Sequence, residues 1–93
     1  LSAALGPLGP GYVHFWIIDL ELAPRANWQV DRIDPSTSVV FETQSTDNCG
    51  MATFENLPYN AQQIHYFRVH GQTGVVHQVV IPNAAGAIRL VQV

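Results

Sequence analysis

The 93-residue chain contains no lysine. Its four cations, Arg25, Arg32, Arg68 and Arg89, are scattered, and its formal net charge is −3. Phosphate backbones are held by clustered Lys and Arg, so no nucleic-acid partner is expected. Charged residues make up only 12% of the chain, about half the usual quarter. A lone soluble domain normally carries a more charged surface. A weakly charged one suits a chain packed against neighbours, although Gln, Asn, Ser and Thr would also solubilise a monomer. Cys49 is the single cysteine, which excludes an internal disulfide and any paired-cysteine metal or redox motif. It falls in an expected turn, as an incidental free thiol or as one half of an intermolecular disulfide. No apolar run reaches the roughly 18 residues of a membrane span. Tyr12–Leu22 is too short and carries Asp19 and Glu21. The chain does not begin with Met, as expected of a processed product or a fragment. No window shows a helical period, and there is no internal repeat.

What is present is strand chemistry. This length makes one domain, divided here into an irregular apolar arm, residues 1–11, and a sandwich, residues 12–93. The arm, LSAALGPLGPG, mixes small apolar residues with two Gly-Pro pairs that suit neither strand nor helix. YVHFWIIDLEL (Tyr12–Leu22) is aromatic and β-branched, as strands are. It reads as one long strand buried on both sides at its start. WQVDRI (Trp28–Ile33) reads as a short, weaker strand. DPSTS is turn chemistry, organised by Asp31 and Asp34 with Arg32. SVVFETQ (Ser38–Gln44) alternates, with Val39, Phe41 and Thr43 expected inward and Ser38, Val40, Glu42 and Gln44 outward. STDNCG is a turn, and MATFEN then places Ala52 and Phe54 on one face. Pro58 ends that ladder because it cannot donate. IHYFRVH opposes His65, Phe67 and Val69 to Ile64, Tyr66, Arg68 and His70. GQTG is a short hairpin connection to VVHQVVI (Val75–Ile81). AIRLVQV (Ala87–Val93) closes the chain, with Ile88, Leu90 and Gln92 opposed to Ala87, Arg89, Val91 and Val93. These segments predict an all-β, seven-stranded antiparallel Greek-key sandwich of the prealbumin/Ig-like kind.

The stretch TDNCGMATFENLP, Thr46 to Pro58, resembles the T-D-x-x-G-x-A-x-F-x-x-L-P signature of prealbumin-like sandwiches. That group includes the carboxypeptidase regulatory-like and Cna-B-type domains. Thr46, Asp47, Gly50, Ala52, Phe54, Leu57 and Pro58 take the matching positions. The resemblance covers roughly Ser38 to Val93. It implies that Gly turns a hairpin, Ala and Phe fill the core, and Leu-Pro closes the strand. Cna-B-type domains are often locked by a lysine isopeptide bond, which a chain without lysine cannot form. The transthyretin-related hydrolases end in Tyr-Arg-Gly-Ser, whereas this chain ends RLVQV. Fibronectin type III domains are the second resemblance, through NLPYNAQQIHYFRVHGQTG.

Catalytic chemistry finds little support. No nucleophile-elbow motif appears, and the scattered carboxylates form no evident pair. His70 and His77 flank the hairpin and are the one pair the spacing offers for a surface metal, while ordinary strand histidines explain them as well. No cofactor is expected. The reading that fits composition best is a non-catalytic structural module of a multi-subunit assembly, on a virion or phage particle or in an extracellular fibre. Its partners are other protein subunits, met through Leu1, Leu5, Leu8, Tyr12, Trp28 and Tyr59. The alternative is a carbohydrate-binding accessory module with a glycan partner stacked on Trp28, Tyr59 and Tyr66. Light scattering after size exclusion checks the arm. An assembly held by the arm loses its mass when residues 1–11 are removed, whereas a 10.2 kDa monomer with and without them sinks that contact.

Overall fold

The computed structural model describes residues 11–58, 62–81 and 86–93. They form β1 (Gly11–Ile18), β2 (Gln29–Ile33), β3 (Val40–Ser45), β4 (Met51–Leu57), β5 (Ile64–Val69), β6 (His77–Val80) and β7 (Gly86–Gln92). Two sheets result, ordered β4-β1-β7 and β3-β2-β5-β6. The described residues therefore form the expected all-β sandwich of seven strands. Every ladder is antiparallel except one: β1 runs parallel to β7, from Tyr12 opposite Gly86 to Ile18 opposite Gln92. A parallel pair needs a long connection, and here five intervening strands supply it.

The core follows from strand alternation. Val13, Phe15 and Ile17 of β1 are fully buried, as are Phe54 of β4, Phe67 and Val69 of β5, and Val79 of β6. Phe15 and Phe54 each stand 4.9 Å, centroid to centroid, from Phe67, so rings from both sheets meet in the middle. Each fully buried ring of this size stabilises the fold by about 1.5–3 kcal/mol.

The turn before β4 shows why Thr46 to Gly50 read as they do. The Asp47 carboxylate accepts the amides of Cys49 (2.8 Å) and Met51 (3.0 Å). The Gly50 amide donates to the Asp47 carbonyl, and the Gly50 carbonyl accepts the Ile17 amide at 2.8 Å. The Thr46 hydroxyl accepts the Trp28 amide and donates to the Arg25 carbonyl, tying the turn to the entry of β2. Gly50 has φ of 81°, and a Cβ there would stand 2.7 Å from the Ile17 carbonyl oxygen.

Several expectations are corrected. The first strand ends at Ile18, not Leu22. There the Asp19 carboxylate accepts the amides of Glu21 and Ala23, a local turn that competes with the ladder and leaves Leu20 and Leu22 exposed. Nor is β1 buried on both sides at its start, since Tyr12 and Trp16 face solvent. In β3 the parity is inverted: Val39 and Phe41 are exposed, while Glu42 and Gln44 are half-buried. The cause is register, because Gln44 lies opposite Val30 and Glu42 opposite Arg32, on the core side of β2. The segment that reads as the weaker strand, β2, is central, paired on both edges. Val75 and Val76 precede β6 rather than belonging to it. Asp34 does organise its turn, accepting the Ser36 amide and hydroxyl, but Asp31 does not take part. Gly50→Ala meets both a positive φ and backbone contact, so it is expected to cost about 1–3 kcal/mol, read as a lower urea midpoint with the slope unchanged.

Candidate interaction surface

The two sheets turn chemically different faces outward. On the four-stranded sheet the centre is Asp31, only 4% exposed. Register sets Thr43 and Arg68 on either side of it, and His70 follows Arg68 at the end of β5. The Asp31 carboxylate accepts the Thr43 hydroxyl at 2.7 Å, the His70 Nε2 at 2.8 Å and an Arg68 guanidinium nitrogen at 3.2 Å. Burial pushes this carboxyl up, but the hydrogen bonds from Thr43, His70 and Arg68 outweigh it and hold Asp31 below the usual carboxylate range. The network is a structural clasp in which Asp31, the buried member, is bonded on both carboxylate oxygens. The sequence offers little sign of it, since nothing local to WQVDRI announces which residues will flank Asp31.

Among the described residues, the three-stranded sheet has no such charged centre, whereas the four-stranded sheet pairs its own with exposed Phe41 and Ile64. Its outward residues come from alternate positions on β1 and β7, with Trp16 beside Leu90 and His14 beside Ile88. On the other flank Trp16 faces Met51, and His14 faces Thr53. Ile88 and Leu90 are 62% and 60% exposed. Polar atoms here are engaged within the chain: His14 Nδ1 pairs with the Thr53 hydroxyl at 2.7 Å, and Trp16 Nε1 donates to the Cys49 carbonyl at 3.1 Å. Ile88 and Leu90 are the surface residues that the site reading missed. The signal was their shared parity.

Of the sequence-predicted site residues, the described ones, Tyr12, Trp28 and Tyr66, do not share one surface. Leu1, Leu5, Leu8 and Tyr59 lie outside the described residues. Tyr12 stands on the apolar face, its ring over Gly86 and 4.8 Å from His14. Trp28 is half-buried against the core; its Nε1 donates to the His70 carbonyl at 2.7 Å, and the Arg25 guanidinium covers the ring at 5.4 Å. Tyr66 is half-buried on the opposite sheet. Cys49 is exposed, as expected of the turn. His70 and His77 do not form a pair. His77 lies opposite the buried Phe67 and turns inward against Phe15, bonded to Gln72, while His70 turns outward to Asp31. No cluster of metal-ligating side chains occurs among the described residues.

No protein-family model matches the chain, and no curated protein matches it. Solved structures do. The Bacillus anthracis TIE protein matches with a TM-score of 0.70 at 11% identity, over 89% of this chain and 16% of that one. The major pilin subunit of Bacillus cereus, BcpA, in its D312A form, matches at 0.70 and 12%, over 90% and 28%. The streptococcal ancillary pilin matches at 0.66 and 14%, over 89% and 31%. The chain thus has the Ig-like β-sandwich fold found in these proteins, and it spans less than a third of each.

Stability should fall in acid in two steps. Burial and the nearby Arg89 depress His77 below its ordinary 6.5. Its contribution is complete above that value and is lost as pH falls from there toward the folded value. Asp31 is likewise depressed, so its contribution is complete above 3.8 and is lost as pH falls below it. Urea unfolding across the acid range should show both limbs. His77→Gln should remove the upper one. Asp31→Asn should remove part of the lower one and cost about 1–3 kcal/mol at neutral pH.

Proposed function

We propose that this chain is a Cna-B-type, non-catalytic structural module of an extracellular, cell-surface fibre, acting through contacts with other protein subunits. The observation that carries this reading is the uncovered apolar face of Trp16, Ile88 and Leu90 on a sandwich whose fold recurs in pilin subunits. An apolar face of this size on a chain with so little charge is the kind of surface that often marks an interaction site. A virion component would use such a face in the same way, but the structural likeness is to pilins. Leu1, Leu5, Leu8, Tyr12, Trp28 and Tyr59 remain proposed contacts, with Tyr12 the one that adjoins the apolar face.

The Asp31 network supports a non-catalytic role, since the Asp31 carboxylate is engaged on both oxygens in cross-linking three strands of the sheet. Of the aromatics in the carbohydrate reading, the Trp28 ring is capped by Arg25 and wedged against Gly71, which leaves it less free to stack a sugar. Immunogold labelling of the producing cells with antibody to this chain is the test. Gold strung along filaments is the expected result. Chain recovered wholly as dispersed, unassembled protein overturns the proposal.

A further inference from the structure

We infer that the outer face of the β4-β1-β7 sheet binds a second copy of this chain, face to face about a two-fold axis. This rests on the assembly reading above and names its contact. Trp16 and Tyr12, at opposite ends of β1, are 43% and 41% exposed, and Ile88 and Leu90 flank them on β7. Among the described residues of these three strands only Glu55 and Arg89 are charged. Arg89 shares the inward parity of the buried Val91, while Glu55 shares the outward parity of Thr53 and is the one carboxylate among the described residues of the face, lining its hollow. The His14 and Trp16 nitrogens that bond Thr53 and Cys49 are already paired, so covering them orphans neither.

The shape of the face selects a second copy. One end carries the bulk of Trp16 beside Leu90. The other end carries a hollow of about 200 Å³, lined by Gly11, Tyr12, His14, Thr53, Glu55 and Asn56. On its β7 side the surface stays low, because the Tyr12 ring lies where a Cβ on Gly86 would otherwise be, 1.8 Å away. Trp16 and Tyr12 are about 13 Å apart along the strand. A two-fold axis lying across the strands at the His14 row exchanges the two ends, setting each Trp16 over the partner's hollow. Such a face closes as an isologous pair. Its extent is adequate. With roughly 100 Å² exposed on each of the four large side chains, the patch is on the order of 400 Å², the size of the largest apolar patch on a typical soluble domain, which is often functional. Two such faces with their polar flanks bury about 1,000–1,200 Å² in total, the lower end for a specific interface. A sugar seated in the hollow would leave Ile88 and Leu90 uncovered.

Sedimentation equilibrium of the 93-residue chain, from about 10 μM to about 1 mM, tests this, with Leu90→Glu and Ile88→Glu on the face. Phe41→Glu, on the other sheet, is the control. Circular dichroism confirms that each variant is folded. The expected result is a mass rising to twice 10.2 kDa. Leu90→Glu or Ile88→Glu should weaken the dimer at least tenfold, Phe41→Glu should leave it intact, and a reductant should not change it. A monomer at every concentration overturns the inference; that is the result if residues 1–10 of the same chain, or an unrelated protein, cover the face. A dimer abolished by Phe41→Glu but indifferent to Leu90→Glu overturns it, as does one that disappears with reductant and is therefore a Cys49 disulfide. The measurement needs only purified chain. Absent fibres would leave the dimer standing, and fibres built from chain that is monomeric in solution would overturn the dimer and leave the structural role.

Discussion

Three phenylalanines hold the two sheets together. Phe15 on β1, Phe54 on β4 and Phe67 on β5 are all fully buried, and their rings touch in tilted and edge-on geometries. Such ring pairs contribute about 0.5–1.5 kcal/mol beyond the area they bury. Everything else is arranged around keeping β1 at the centre of its sheet so that Phe15 reaches Phe67. The Asp47–Gly50 turn clamps β4 to β1 through the Ile17 amide. The Thr46 hydroxyl carries that constraint to the start of β2.

With its inside filled, the sandwich has two outsides, and they obey different rules. The outer face of the four-stranded sheet is closed chemically at its centre, although Phe41 and Ile64 stay exposed toward its edges. Asp31 gathers a hydroxyl, an imidazole and a guanidinium, so its polar surface is used up on itself. The outer face of the three-stranded sheet is closed only at its polar atoms, and its carbon surface is left to solvent. That asymmetry explains how a chain with 12% charged residues can be well folded and yet incomplete as a surface.

Much of this architecture was legible in the residues. Turn chemistry separated the strands, and alternation along IHYFRVH and AIRLVQV grouped His65, Phe67 and Val69 on one parity and Val91 with Ala87 and Arg89 on another; the structure buries His65, Phe67, Val69 and Val91. The Thr46–Pro58 signature placed the hairpin glycine and two core residues. Alternation gives parity but not which parity faces in, and β3 shows the cost. Both parities of SVVFETQ carry apolar residues, and pairing with β2 decided against Phe41. The Asp31 clasp was hidden for a related reason, since its partners lie 12, 37 and 39 residues away. Ile88 and Leu90 read as ordinary strand residues because exposure is a property of the assembled sheet.

The parallel pairing of β1 and β7 has a mechanical consequence. Two neighbouring strands that run the same way put the start of one and the end of the other at opposite ends of their shared ladder. Tension applied between the start of β1 and the end of β7 therefore pulls along that ladder. The load falls on all of its hydrogen bonds together, from the Tyr12–Gly86 pair to the Ile18–Gln92 pair, rather than on one bond after another as in peeling. The ladder yields by sliding, and sliding by one residue would drive the side chains of Phe15 and Ile17 out of the core. In a row of such modules carrying force, the same ring cluster that folds the domain would be its brake.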